Sequence, residues 1–363
     1  MTTSRLREVV LCSLKLGTVA FGGPAAHLAM MRAELVDARG WVSEQEFLDM
    51  MGAASLLPGP TSTEVAIMLG KRRAGWPGLV AGGAAFIVPA LLMVIALSWV
   101  YVRYGSTGPG SHVLEGVLPA VIGIVAQAII GLAGRALSTW TTRAIGVAGL
   151  AAYLPGLNPL LILVGGLLVS MLESEIASRP GPASLHSHAS PAILAIFLEF
   201  LKLGSIVFGS GYVLFAYLRD DLVHSHHWVT LHQLLAATAI GQLTPGPVFT
   251  TVASVGYVLD GVPGALVAAA GIFLPSFLLV AAAMPVIARV RRSKRGAAAF
   301  DGLNAAALAL ITGVTMELAQ GALVNWWTGV EAAVAFGILM KWRVNSAYLI
   351  LGGAIIGLLA GLA

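Results

Sequence analysis

The apolar residues of this chain form long runs separated by short polar stretches, without the alternation that is typical of strands. Most runs are long enough for a helix that crosses a hydrocarbon core of roughly 30 Å. The pattern predicts an all-α, polytopic membrane protein with the lipid bilayer as its surroundings. The six runs of each half are approximately 8–31, 47–70, 77–102, 113–133, 144–154 and 158–172, and 192–217, 233–259, 263–288, 297–320, 328–340 and 344–363.

Composition supports the same interpretation. Of the 363 residues, 58% are hydrophobic and 10% are charged, whereas soluble domains carry roughly 25% charged residues. The net charge of +4 comes from basic residues in short loops, as the positive-inside rule expects, so nucleic acid is not a predicted partner. Cys12 is the single cysteine, which excludes an intrachain disulfide.

The second half repeats the first at an offset of 187 residues. Lys15-Leu16-Gly17 recurs as Lys202-Leu203-Gly204, and the later loss of one residue aligns Pro77 with Pro263. Such a duplication predicts two homologous helical bundles. The predicted units are a first bundle at 1–172, a polar linker at 173–191 and a second bundle at 192–363.

Loop charges predict that the two bundles have opposite orientations. The loop at 71–73 is Lys-Arg-Arg, whereas its counterpart carries only Asp260. The next loop reverses the bias, with Arg103 alone against five basic residues within 289–295. Because cytoplasmic loops carry an excess of Lys and Arg, the sequence predicts an inverted repeat, with 71–73 and 291–295 in the cytoplasm and 260 outside.

Inversion requires an odd number of crossings per half, so one of the six runs must enter and leave the membrane on the same side. The best candidate is the run at 47–70, which Pro58-Gly59-Pro60 interrupts; it would form a hairpin of two half-helices. The second candidate is the first run, broken at Phe21-Gly22-Gly23-Pro24.

The Pro-Gly-Pro break occurs twice, as Pro58-Gly59-Pro60 and Pro245-Gly246-Pro247. One copy could be a proline kink, whereas two copies at one register indicate two halves of one site. A half-helix that starts after the break presents free N–H groups and its positive dipole end, which favour an anion. The substrate-binding candidates beside the breaks are Thr61, Ser62, Thr63, Gln242, Thr250 and Thr251.

Charged residues within the runs are further candidates. Lys15 and Lys202 would suit an anion with two negative charges, and snorkelling to the interface is the alternative. Arg32 and Arg219 lie at segment ends, where a structural role is equally compatible. The glycine-rich breaks would allow close backbone approach or tight helix packing; their residues are Phe21, Gly22, Gly23, Pro24, Phe208, Gly209, Ser210 and Gly211.

Two acids in apolar surroundings, Glu64 and Glu199, are candidates for proton coupling, because intramembrane carboxyl groups often serve proton relays. No metal and no cofactor is predicted. The histidines within 224–232 lack cysteine neighbours and a fixed ligand spacing, which favours a solvated loop.

These motifs resemble the chromate ion transporter (CHR) family over almost the full length. The resemblance rests on the duplicated glycine breaks, on the two Pro-Gly-Pro segments, the second within 242–251, and on Gly-Ile-Phe-Leu-Pro-Ser-Phe at 271–277. It implies a two-domain inner-membrane protein that exports chromate, a tetrahedral dianion, powered by the membrane potential or the proton gradient, and that confers chromate resistance. The family's functional residues map onto Lys15, 21–24, Arg32, 58–60 and their counterparts. The region between the halves is shorter than is usual in the long form of the family.

Alternatives of other classes stay open at this point. Sulfate or another tetrahedral oxyanion would fit the same chemistry, and a passive anion channel would need a continuous pore instead of two access states. An enzyme is disfavoured, because no nucleophile–base pair, metal cluster or phosphate loop is recognisable. The oligomeric state is also open, a homodimer included.

Overall fold

The computed structural model describes residues 3–20, 23–54, 57–155, 157–172, 192–207, 213–290, 294–342 and 344–361. The predicted linker at 173–191 lies outside these residues. The regular secondary structure of the described residues is helical, without a strand, which confirms the predicted all-α class.

The helices follow the same order in both halves. The first half contains α1 (Thr3–Val19), α2 (Gly23–Arg32), a π-helical segment (Ala33–Ala38), α3 (Glu44–Ala54), α4 (Thr61–Tyr104), α5 (Gly108–Ala136), α6 (Trp140–Tyr153) and α7 (Pro159–Leu172). The second contains α8 (Ile193–Ile206), α9 (Val213–Tyr217), a π-helical segment (Leu218–Ser225), α10 (Leu231–Leu243), a 3-10 turn (Val248–Thr250), α11 (Thr251–Val290), α12 (Lys294–Ala322), α13 (Trp326–Lys341) and α14 (Ser346–Ala360).

Each half contains two stretches that are long and apolar enough to cross a membrane. Within the described residues they are Thr61–Tyr104, Gly108–Gly134, Val248–Ala282 and Asn304–Ala322. Other helices are shorter: α6 and α7 have 14 residues each, about 21 Å at 1.5 Å per residue. Short helices therefore also occur outside the runs that the prolines interrupt. The run at 47–70 is divided at its Pro-Gly-Pro break into α3 and the start of α4, as predicted.

The long helices α4 and α11 are both tight hairpins. In α4, Ala74 and Gly75 leave the helical conformation, and Gly75 has a φ of +65°. A Cβ on Gly70 would clash with the carbonyl oxygen of Gly78, so the two limbs run antiparallel in close contact. In α11 the turn falls at the equivalent positions 260 and 261, with Gly261 at a φ of +55°.

The second limbs of the two hairpins cross each other antiparallel. A Cβ on Gly83 would lie 2.6 Å from the ring of Phe277, whereas further along α4 Val94 clusters with Ala265 and Ala269. Equivalent helices that cross antiparallel are related by a twofold axis perpendicular to them, which for membrane-spanning helices lies in the membrane plane. The crossing therefore confirms the predicted inverted repeat.

The two repeats also exchange helices. The first repeat's α5 packs on α13 and α14, and the second repeat's α12 packs on α6 and α7. Glycines permit these contacts: a Cβ on Gly116 would clash with the carbonyl oxygen of Gly353, and one on Gly166 would lie 2.9 Å from that of Gly302. Each repeat thus completes the core of the other.

Cysteine-accessibility labelling tests the inversion directly. In a Cys12→Ser background, we expect a cysteine at 72 and one at 260 to react with an impermeant maleimide from opposite sides of the membrane. The two positions lie at equivalent hairpin turns, and the positive-inside rule places 72 in the cytoplasm. Labelling of both from one side would contradict the inverted repeat.

Candidate functional site

The two Pro-Gly-Pro breaks are buried, and each is bound by the opposite repeat. The N–H of Gly59 donates to the carbonyl oxygen of Val207 at 2.9 Å, and the N–H of Gly246 donates to that of Ala20 at 2.9 Å. Ala20 and Val207 directly follow α1 and α8 and are equivalent positions of the repeat. The two breaks therefore form a reciprocal junction between the repeats, as two halves of one site would.

Both breaks require glycine. Gly59 has a φ of +133° and Gly246 a φ of +94°, a region that residues with a side chain rarely adopt. Space is equally restrictive: a Cβ on Gly246 would lie 2.7 Å from the Cβ of Ala90, and one on Gly59 would clash with Ser276 Oγ. Ala90 and Ser276 are equivalent residues, so each break packs against the second limb of the opposite hairpin.

A helix starts directly after the first break, as predicted. The carbonyl oxygen of Pro60 accepts hydrogen bonds from the amides of Thr63 and Glu64 at 2.8 and 3.1 Å, and α4 begins at Thr61. After the second break a 3-10 turn precedes α11, and Thr250 Oγ1 donates to the carbonyl oxygen of Pro247 at 2.7 Å. Both breaks thus face the positive end of a helix dipole.

The first break carries a buried carboxyl group. Glu64 is 0% exposed, and its carboxyl group lies beside the hydroxyl of Ser276, without a lysine or arginine as partner among the described residues. Its Oε1 would lie 2.6 Å from a Cβ on Gly59, so the side chain folds back onto the break. The buried hydroxyl of Thr63 has no hydrogen-bond partner among the described residues. Buried polar groups of this kind require an explanation, and the binding of a ligand or ion is one.

A histidine completes this environment. His27 on α2 is 1% exposed, its Nδ1 lies 3.2 Å from Ser62 Oγ, and its ring packs edge-on against Phe86 at 5.9 Å. Sequence reasoning missed both His27 and Ser276. A histidine within the first apolar run was the available signal for His27, and Ser276 lies in the 271–277 segment that carries the family resemblance.

The second break has neutral polar groups instead. Gln242 Nε2, Thr251 Oγ1 and Ser254 Oγ are buried without hydrogen-bond partners in the part of the chain that the structure describes. At the repeat positions of Glu64, His27 and Ser276 stand Thr251, Leu214 and Ala90. The junction is therefore symmetric in its backbone and asymmetric in its ionisable side chains.

The two lysines form equivalent ion pairs. Lys15 Nζ lies 2.6 Å from Glu34 Oε2, and Lys202 Nζ lies 3.0 Å from Asp221 Oδ2. Hydrogen bonds from Lys15 and Arg39 hold the pKa of Glu34 below its usual range. Burial raises the pKa of Asp221 to about 6 despite the neighbouring Lys202. The structure thus places both ammonium groups on acids that follow the first apolar run of each repeat.

Glu199 does not have the apolar surroundings that its position in the sequence suggested. Its carboxylate lies 2.5 Å from Lys202 Nζ and 3.5 Å from His226 Nε2, because α8 packs beside the segment that follows α9. The two acids that appear similar in the sequence are therefore different: Glu199 is ion-paired, whereas Glu64 has no cation beside it among the described residues. No group of three potential ligands in the described chain is arranged to hold a metal ion.

The equivalent arginines also differ. Arg32 contacts Glu44 and Asp37 at 2.8 and 3.1 Å near the surface. Arg219 is mostly buried, donates to the hydroxyl of Tyr153 at 3.0 Å and pairs with Glu317. Because Tyr153 belongs to the first repeat, Arg219 links the repeats at a place that the sequence did not indicate.

Part of the predicted site lies outside the described residues. This applies to Phe21, Gly22, Phe208, Gly209, Ser210 and Gly211. Gly23 and Pro24 begin α2.

Comparison with known proteins agrees with this architecture. The family model described as "Chromate transporter" matches twice, at residues 7–171 and 194–358. A "Chromate transport protein" of Cupriavidus metallidurans is 33% identical, with 99% of this chain and 94% of the relative covered. A protein of the same description from Pseudomonas aeruginosa is 31% identical (95% and 90% covered), and a "Probable chromate transport protein" of Synechococcus elongatus is 30% identical (94% and 91% covered). No solved structure matches. This chain is a multi-pass membrane protein that belongs to the chromate transporter family.

Proposed function

We propose that this protein is a secondary active transporter that exports chromate across the inner membrane and thereby confers chromate resistance. The reciprocal junction of the two Pro-Gly-Pro breaks carries this proposal, because each break, with the helix that follows it, is buried against equivalent positions of the opposite repeat. The names of the relatives, each a chromate transport protein, support chromate as the substrate.

The chemistry of the junction suits a tetrahedral oxyanion. Two helix N-termini offer partial positive charge, and buried hydroxyl and amide groups offer hydrogen-bond donors without a cofactor. The candidate donors are the buried side chains of Thr63, Gln242, Thr251, Ser254 and Ser276. An anion bound at a break would accept hydrogen bonds from the donors beside it, which offsets part of the cost of their burial.

The same junction supports alternating access. Gly59–Val207 and Gly246–Ala20 are equivalent hydrogen bonds on opposite sides of the pseudo-twofold axis. Opening one while the other holds would expose the site to one side of the membrane, as rocking between inverted repeats requires. In this proposal Lys15, Lys202, Arg32 and Arg219 attract the dianion towards the junction.

Uptake into inverted membrane vesicles tests the function. An exporter should accumulate labelled chromate in energised inverted vesicles that contain the protein, and not in matched vesicles without it. Accumulation only in right-side-out vesicles would contradict export. An excess of unlabelled sulfate distinguishes a chromate-specific transporter from a general transporter of tetrahedral oxyanions. Strong inhibition of chromate uptake by sulfate would favour the general transporter. Energy-independent equilibration with bulk conductance would favour a channel.

A further inference from the structure

We propose that the carboxylate of Glu64 and the transported oxyanion compete for the N-terminus of α4, so that the anion binds the first break only when Glu64 has taken up a proton. This inference rests on the proposed oxyanion transport. It assigns the proton to one carboxyl group and states how proton and anion are coupled.

The geometry places the carboxyl where an anion would bind. Glu64 lies in the first turn of α4, and its side chain folds back so that Oε1 would be 2.6 Å from a Cβ on Gly59. A negative charge at this point interacts favourably with the helix dipole. The side chain is fully buried, and its carboxyl group lies beside the hydroxyl of Ser276 without a lysine or arginine as partner among the described residues. Glu64 therefore places a carboxyl group at the start of α4, at the position that a bound anion would take.

The neighbouring elements provide few ionisable groups that could compensate its charge. From α2 comes His27, which reaches Ser62; from α11 comes the hydroxyl of Ser276; and from the end of α8 comes the backbone of Val207. No lysine or arginine among the described residues forms an ion pair with Glu64. An unpaired buried carboxylate is costly, so the state of Glu64 depends strongly on any charge that arrives beside it.

Two anions cannot share this position. Like charges a few ångströms apart disfavour joint ionisation, as in carboxylate pairs that share one proton. A dianion at the break would therefore drive Glu64 to take one proton from water, and the resulting O–H could donate a hydrogen bond to the anion. Conversely, loss of that proton would repel the anion. One proton is then bound with each oxyanion.

The second break lacks this control. Thr251 occupies the position of Glu64, and Ala90 that of Ser276, so the second half of the junction offers hydroxyl and amide groups without a competing charge. The proposal therefore predicts a junction in which one repeat is sensitive to protons and the other is not.

Equilibrium binding of chromate to the purified full-length protein across a pH series tests this coupling. In the wild type, the dissociation constant should rise about tenfold per pH unit once Glu64 ionises, as expected for one linked proton. Glu64→Gln resembles the protonated side chain, so its affinity should lose that dependence. The protonation of free chromate changes with pH in the same way in both measurements. It therefore cancels from the ratio of the two dissociation constants at each pH.

Glu331→Gln is the matched control. Glu331 on α13 is a carboxyl group whose oxygens have no hydrogen-bond partner among the described residues, and it faces Gly353, so this variant should keep the wild-type slope. If Glu64→Gln fails to fold, Glu64→Thr reproduces the residue of the second repeat and should give the same flat profile. A wild-type slope in a folded Glu64 variant would overturn the coupling while leaving transport intact. Absence of chromate and sulfate binding to the wild type at every pH would instead refute the proposed function.

Discussion

Replacing Gly246 by alanine is expected to abolish chromate transport. The φ of +94° at this position imposes strain of roughly 1–3 kcal/mol on a residue with a side chain. The new methyl group would lie 2.7 Å from the Cβ of Ala90. Overpacking of this kind adds a cost of about 1–3 kcal/mol. A penalty of about 3 kcal/mol at the junction corresponds to roughly a hundredfold loss of the competent state. Chromate flux into vesicles at equal membrane abundance measures it.

A second substitution separates the steric effect from the backbone effect. Ala90→Gly removes the methyl group that Gly246→Ala would strike, so the double variant should regain part of the lost flux. Gly261→Ala is the control for positive φ: its φ is +55° and no atom of the described residues lies within 4 Å of the added Cβ. This control should retain transport. Wild-type flux in Gly246→Ala would remove the breaks from the transport cycle.

Local sequence signals predicted the scaffold well. The run lengths, the duplicated Pro-Gly-Pro and the reversal of loop charge at 71–73 and 260 all predicted features that the structure contains. Prolines and glycines determine where a helix must stop, and this information is local. The internal repeat strengthened the prediction, because a Pro-Gly-Pro break that occurs at equivalent positions of both halves is seldom accidental.

Contacts between distant segments could not be predicted in the same way. Nothing in the sequence joins Ala20 to Gly246, or places His27 beside Ser62, because these contacts depend on how the repeats interlock. Glu64 and Glu199 illustrate the consequence. Both have apolar neighbours in the sequence, yet tertiary packing gives Glu199 a lysine and a histidine, and gives Glu64 hydroxyl groups and a helix N-terminus.

The asymmetry of the repeats is concentrated in ionisable side chains. Backbone features occur at equivalent positions in both halves, such as the glycine at each break and the turn of each hairpin. Glu64, by contrast, has a threonine as its counterpart, and the equivalent arginines have different partners. Inverted repeats need a common backbone mechanism to rock between two states. Coupling of transport to a proton, in contrast, requires ionisable side chains that differ between the two repeats. The differing residues are therefore the natural targets for mutation.

Arg219 provides the second large expected effect, this time on stability. Its guanidinium joins Glu317 on α12 to Tyr153 at the end of α6, and the side chains of Arg219 and Glu317 are only 17% and 20% exposed. Arg219→Met leaves the carboxylate of Glu317 without this partner. Breaking a buried pair from one side costs roughly 3–5 kcal/mol, and partial exposure should reduce this towards about 3 kcal/mol. We expect a clear drop in the thermal unfolding midpoint of the detergent-solubilised protein.

The equivalent arginine of the first repeat supplies the control. Arg32 is 46% exposed beside Asp37 and Glu44, so Arg32→Met should change stability by no more than about 1 kcal/mol. Adding Glu317→Leu to Arg219→Met removes the unpaired carboxylate and should restore most of the midpoint. Equal losses for the two single arginine variants would contradict a structural role specific to Arg219. If Arg219 also attracts the dianion, as proposed, the double variant should recover its stability but still need a higher chromate concentration for half-saturation. Removal of the carboxylate does not replace the lost positive charge.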